Sequence, residues 1–144
     1  MDAPGYGGRG RREWGQLFDH YTDNRKEYVH CLAQCQGLTE SIRLRRIFIL
    51  FNGGHGLNEI DAMMLQSLDE RVQASAGLKF TLQAIITKSD TIPDRKLASS
   101  ITQMKKDIAE VAPTCLDPII TSTAKYPYVG IDVVRNAIMQ ACQR

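Results

Sequence analysis

Two short stretches hold residue types that could read a flat nitrogenous ring: "TKSD" at Thr87–Asp90 and "TSTAK" at Thr121–Lys125. A carboxylate such as Asp90 can accept two parallel N–H donors from a guanine edge, a paired pattern that adenine does not present. Lys88, two positions earlier, can lay its alkyl stem over a purine face. The small residues Ser122, Thr123 and Ala124 let a backbone N–H come close to a base carbonyl oxygen. Taken singly, each stretch has a plainer reading, since "TKSD" could be a solvated turn that starts a helix. Their order and spacing favour the chemical reading: both lie at expected strand ends, on successive strands, with a helix between them and "DAPG" upstream.

The opening "MDAPGYGGRGRREW" is built like an active-site loop, because Pro4 and the glycines Gly5, Gly7, Gly8 and Gly10 disfavour both helix and central strand. Loops of that kind usually join a strand to a helix, and here no strand precedes it.

The elements that must position these loops follow from hydrophobic periodicity. Trp14, Leu17, Phe18 and Tyr21 share one side of an expected helix from Glu13. "RIFILFN" (Arg46–Asn52) and "FTLQAIIT" (Phe80–Thr87) are continuous apolar runs, as expected of strands buried on both faces. Between them Leu57, Ile60, Met64, Leu65, Leu68 and Val72 recur at helical spacing. A further helix carries Leu97, Ile101, Met104, Ile108 and Val111, with Asp94 expected as its cap. "LDPIITST" reads as a third strand, and Ile131, Val134, Ile138 and Ala141 mark a closing helix. The alternation predicts an α/β fold of right-handed βαβ units, with a parallel sheet of about three strands and about four helices on its two faces. In such sheets ligands bind beyond the carboxyl ends of the strands, where both loops lie.

Composition narrows the function classes. The 144 residues are 43% hydrophobic and 24% charged, which suits one soluble domain. The longest apolar runs are far below the roughly 20 residues of a membrane span, so no membrane partner is expected. A formal net charge of +2 is too small to argue by itself for nucleic acid. The four cysteines, Cys31, Cys35, Cys115 and Cys142, lack zinc-type spacing and read as reduced, mostly buried thiols.

At this point the chain resembles the EngB (YihA) type of translation-factor-like P-loop GTPases, over nearly all its length. "DAPGYG" is similar to that family's third nucleotide motif, "TKSD" to its fourth, and "TSTAKYPYVGIDVVRNAI" to its fifth motif running into the last helix. "HGLNEIDAMML" resembles the stretch that follows the family's fourth strand. The resemblance implies a Ras-like fold that binds GTP and GDP with Mg²⁺ and assists assembly of the large ribosomal subunit from rRNA and protein. It implies that Asp2 reaches Mg²⁺ through water and that the Gly5 N–H contacts the γ-phosphate. Asp90 would read guanine, Lys88 would cover the base, and Thr87 would brace the loop. In the fifth motif two extra residues, Tyr126 and Pro127 or their neighbours, leave either Ala124 or Thr123 as the base-oxygen contact beside Ser122. Tyr6 stands where many small GTPases carry a water-orienting Gln, which implies slow hydrolysis.

The departures are equally specific. No "GxxxxGK[ST]" phosphate loop occurs in these residues, and neither does the threonine-bearing first switch. The sequence therefore reads as the C-terminal two-thirds of one G domain, with "RIFILFN" left as an exposed apolar edge and hydrolysis not expected from this chain alone. The segment 27–42 interrupts the family pattern. A retained intron is one account, because Glu-Tyr-Val and Leu-Thr can encode fungal-like splice signals; a helical extension with Tyr28, Leu32 and Cys35 on one face is the other. In "FNGGHGL", His55 reads as a packing rather than a catalytic residue. A fungal-type relative implies a mitochondrial location, with the cytoplasm as the alternative. Two other functions stay open at this level: an interaction module derived from a GTPase that has lost hydrolysis, and an unrelated parallel-sheet enzyme.

Overall fold

A computed structural model describes residues 44–76 and 80–143. These fall almost wholly within one compact unit, Arg45–Arg144. The expectations on Asp2, Gly5 and Tyr6, on the helix from Glu13, on segment 27–42 and on Cys31 and Cys35 lie outside the described residues.

The described chain alternates strand and helix. In order it forms β1 (Arg46–Asn52), α1 (Glu59–Ala74), β2 (Thr81–Thr87), α2 (Asp94–Val111), β3 (Leu116–Ile120) and α3 (Ile131–Gln143). The strands make one sheet in the order β1-β2-β3. β1 and β2 pair in parallel without a slip, from Arg46 opposite Thr81 to Asn52 opposite Thr87. β2 and β3 are also parallel, with an irregularity between Gln83 and Ile85. There Asp117 and Pro118 occupy β3. Proline has no N–H to give to a ladder, so the bulge falls on an outer strand, and the Gln83 side chain compensates by donating to the Asp117 carbonyl at 3.2 Å.

The core follows the strand pleat. Leu82, Ala84 and Ile86 of β2 are fully buried, with Ile49 and Phe51 of β1 beside them. Leu65, Leu68 and Val72 of α1 and Ile101, Met104 and Ile108 of α2 close the core. Right-handed crossovers between strands laid down in sequence order put α1 and α2 on the same face. α3 takes the other face: the Arg46 guanidinium donates to the Ala137 carbonyl at 3.3 Å and to Gln83 Oε1 at 2.9 Å. Parallel strands covered by helices on both faces are thus the observed architecture, with three helices among the described residues.

Three local expectations are corrected. β1 is not buried on both faces, because Leu50 points away from Ile49 and Phe51 and is 66% exposed. Asp94 is the first residue of α2 rather than its cap; Pro93 holds the cap position and has no side-chain acceptor to offer. Asp94 instead sets a carboxylate in the first turn, where the helix dipole favours it. "LDPIITST" runs as a strand only to Ile120; Thr121 still donates to Ile86 of β2, and from Ser122 the chain pairs with Val129 instead.

Caps and one buried carboxylate fix the helices. Asn58 accepts from the Asp61 N–H at 2.8 Å and opens α1. Asp69 is buried on α1, yet it is fully engaged: it accepts from the Thr114 backbone N–H at 3.0 Å, from the Thr114 hydroxyl, and from Gln73 Nε2 at 2.5 Å. That set of bonds ties α1 to the turn entering β3.

Candidate functional site

The loops after the three strands gather at one end of the sheet, and a chain of hydrogen bonds joins them. Thr87, the last residue of β2, donates its hydroxyl to the Phe51 carbonyl at 3.0 Å. Its own carbonyl accepts from the Gly53 N–H at 2.8 Å. The end of β1 is therefore tied to the end of β2 by both groups of one threonine.

Lys88 follows in the left-handed region, with φ 54 and ψ 40. Such a backbone is unfavourable for a residue with a β-carbon by about 1 kcal/mol or more. Thr91 holds it there: its N–H at 3.0 Å and its hydroxyl at 2.8 Å both donate to the Lys88 carbonyl. The result is a tight turn, Ser89–Thr91, that leaves the side chains of Lys88 and Asp90 exposed while Ser89 is buried.

β3 supplies the second wall. The Thr121 N–H donates to the Ile86 carbonyl at 2.7 Å, and the Ser89 N–H donates to the Thr121 carbonyl at 3.1 Å. Thr121 is thereby placed between the two loops. Next, the Ser122 hydroxyl donates to Asp90 Oδ1 at 2.5 Å, so residues 32 positions apart in sequence meet directly. The Ala124 N–H turns back to Ser122 Oγ at 3.4 Å. Ser122 also pairs antiparallel with Val129, through N–H to carbonyl bonds of 3.1 and 2.9 Å, which closes residues 123–128 into a hairpin.

Glycines set how closely these pieces approach. A β-carbon on Gly54 would stand 2.6 Å from the Thr91 hydroxyl oxygen, and one on Gly53 would stand 3.1 Å from the Thr87 carbonyl oxygen. Gly130 has φ +72, and its β-carbon would fall 2.0 Å from the Ile120 carbonyl oxygen. Sequence reasoning did not single out Gly130 or Thr91. The signal for Gly130 was its place directly before the closing helix; nothing in the sequence marked Thr91 as the brace of Lys88.

The structure therefore brings together Asp90, Ser122 and Ala124 by hydrogen bonds, ties Thr87 to the end of β1 instead, and leaves Lys88 and Thr123 exposed on the same loops. An exposed carboxylate anchored through one oxygen keeps acceptor capacity on the other and can still receive donors along its edge. His55 is exposed, so the packing role expected of it is corrected. Cys142 is exposed as well, contrary to a buried thiol. Cys115 is half-buried, and burial pushes its thiol above the ordinary value of 9.0 despite a backbone hydrogen bond that works the other way. Among the described residues no group of three or more His, Cys, Asp or Glu could hold a metal ion.

Comparison with curated proteins gives several distant relatives. The chain is 27% identical over 147 residues to MIOREX complex component 8 of Saccharomyces cerevisiae, covering 99% of this chain and 38% of that protein. It is 25% identical over 142 residues to the Caulobacter vibrioides protein named "Probable GTP-binding protein EngB", covering 99% of this chain and 53% of the relative. The protein of the same name from Jannaschia sp. is 30% identical over 115 residues, covering 76% of this chain and 49% of the relative. The chain thus spans about half or less of the relatives it matches. No protein-family model matches it.

Proposed function

We propose, for a chain that is a distant relative of the EngB-type GTP-binding proteins, that its strand-end loops form the base-reading half of a guanine-nucleotide site. The observation that carries this reading is the Ser122 to Asp90 hydrogen bond, which joins the two loops through one carboxylate oxygen, on a turn where Asp90 and Lys88 are both exposed. Guanine presents two adjacent N–H donors on one edge, and a carboxylate is the acceptor that takes both. Lys88, held in its left-handed turn by Thr91, lays its stem along a ring face. The Ala124 N–H, already turned toward Ser122, supplies the donor for the base oxygen in preference to Thr123. Thr87 keeps the turn seated on β1.

The donor set fits a base and not a triphosphate. Phosphate and Mg²⁺ are usually held by a Gly-rich loop ending in Gly-Lys-Ser/Thr, and these residues contain no such motif. Asp2 and Gly5 would contribute to the magnesium shell and the γ-phosphate contact, and Tyr6 would stand at the water-orienting position. When bound, Mg²⁺ would neutralise phosphate charge; the residues of this chain orient the base. The isolated chain therefore binds GTP and GDP weakly and gives no useful turnover, because phosphate contacts supply most of the binding and the transition-state stabilisation. The reading extends to work on the large ribosomal subunit in the mitochondrion, which the resemblance implies. That the yeast relative is a component of the MIOREX complex supports a role inside a larger assembly.

A second reading is an interaction module that does not hydrolyse nucleotide, with the exposed hairpin residues Tyr126 and Tyr128 as its contact surface. Titration of the chain with GDP and with xanthosine diphosphate, followed by NMR, separates the two. The expected outcome is weak but base-selective GDP binding, with Asp90→Asn reversing the preference toward xanthine by about ten-fold, or about 1.4 kcal/mol. Equal response to both bases in the parent and the variant would remove the guanine reading.

A further inference from the structure

We propose that the tip of the hairpin after β3, carrying Tyr126 and Tyr128, is a stacking surface for bases of single-stranded RNA. The tip is unusual because its largest apolar groups face solvent: Tyr126 is 87% exposed and Tyr128 is 56% exposed. Their rings meet edge to face, with centroids 5.8 Å apart and planes inclined by 79°. A perpendicular pair covers one ring face at most, which leaves flat aromatic surface turned outward. The pair steadies itself without being buried, and the rings are presented in a fixed relation to each other.

The hairpin below them is hydrogen-bonded across its neck. Its neck is closed by both Ser122–Val129 backbone bonds, anchored through Ser122 to Asp90, and turned by Gly130 at positive φ. A stacking partner would therefore cost little ordering of the platform itself. Within 123–129 the only charged side chain is Lys125, and it is exposed; Lys88 is exposed on the adjoining turn. Aromatic faces beside Lys125, with no carboxylate within 123–129, suit a base that stacks on a ring while its phosphate meets the lysine. Tyr126, Tyr128 and Lys125 lie outside the residues assigned to the guanine base, and Lys88 is shared with that site.

The test is fluorescence anisotropy of the full chain with a labelled oligouridine of about twelve nucleotides at about 50 mM salt. Changing Tyr126→Ala together with Tyr128→Ala should weaken binding about ten-fold or more, the loss expected when stacked bases lose their platform. Tyr126→Phe with Tyr128→Phe should keep the parent affinity, since the ring faces remain. Lys125→Ala should lower the salt slope by about one phosphate contact. The double alanine variant should keep the parent's NMR response to GDP, so that failure here and failure of the guanine reading are told apart. Unchanged affinity in the double alanine variant, or no binding by the parent chain, would overturn the proposal. So would a protein contact that the double alanine variant loses while its RNA affinity stays the same.

Discussion

β1 and β2 are seven-residue strands with similar apolar runs, "RIFILFN" and "TLQAIIT", paired side by side, yet they have different fates. β2 lies between two neighbours and its middle five residues are all buried. β1 has β2 on one side, and its Leu50 is 66% exposed while Ile49 and Phe51 are sealed. The difference teaches that an apolar run reports a strand's hydrophobicity, whereas burial depends on which elements stand above and beside it. The same contrast recurs at the strand ends. The β2–β3 end is cross-linked by Thr121, Ser122 and Asp90, whereas the hairpin tip beyond it is open to solvent.

The sharpest way to break this comparison is truncation in the central strand. Ile86 is fully buried, so Ile86→Ala should lower stability by about 2–5 kcal/mol in urea unfolding, through lost burial and the cavity left behind. The mirror substitution Leu50→Ala should cost well under about 1 kcal/mol and should improve solubility, because it removes exposed apolar surface from an outer strand. Equal costs would show that β1 and β2 are buried alike.

Next in size is Gly130→Ala at the hairpin neck. A β-carbon 2.0 Å from the Ile120 carbonyl oxygen, on a residue with φ +72, forces the backbone to move. The expected cost is about 1–3 kcal/mol, and hydrogen exchange should quicken at the Ser122 and Val129 N–H groups before it changes in β2. Exchange that quickened uniformly would mean the neck is not a separate unit.

The smallest effect concerns the thiols. Alkylation followed by mass mapping should modify exposed Cys142 well before half-buried Cys115. Burial raises the Cys115 pKa above its ordinary 9.0, so the unfolded chain releases its thiol proton at lower pH than the folded one. The stability contributed by that thiol is complete below about pH 9 and is lost as pH rises through the raised folded value. Replacing Cys115 with Ser should flatten that alkaline decline, and a decline unaltered by the substitution would assign it to other groups.

Much of the fold was legible because parallel strands and amphipathic helices write strong periodic signals. The bounds of β1 coincide with the expected Arg46–Asn52, and β2 begins one residue later than expected. Shorter-range features misled where a neighbour took the part: Pro93 occupied the cap position expected of Asp94, and the third strand ended at Ile120 because Ser122 pairs with Val129 instead. The two chemical loops were visible as "TKSD" and "TSTAK", but not their direct bond, since Asp90 and Ser122 are 32 residues apart.

What the sequence by itself determined is the alternation of strand and helix and the residue types at the strand ends, because hydrophobic period and side-chain chemistry are local properties. Only the tertiary structure decided that Thr87 clamps β1, that Thr91 holds Lys88 in a left-handed turn, and that Ser122 fixes the Asp90 carboxylate. It also decided that the two tyrosines face solvent. These depend on parallel register and crossover handedness, which bring distant backbone groups within hydrogen-bonding distance, and no local pattern of residues encodes that proximity.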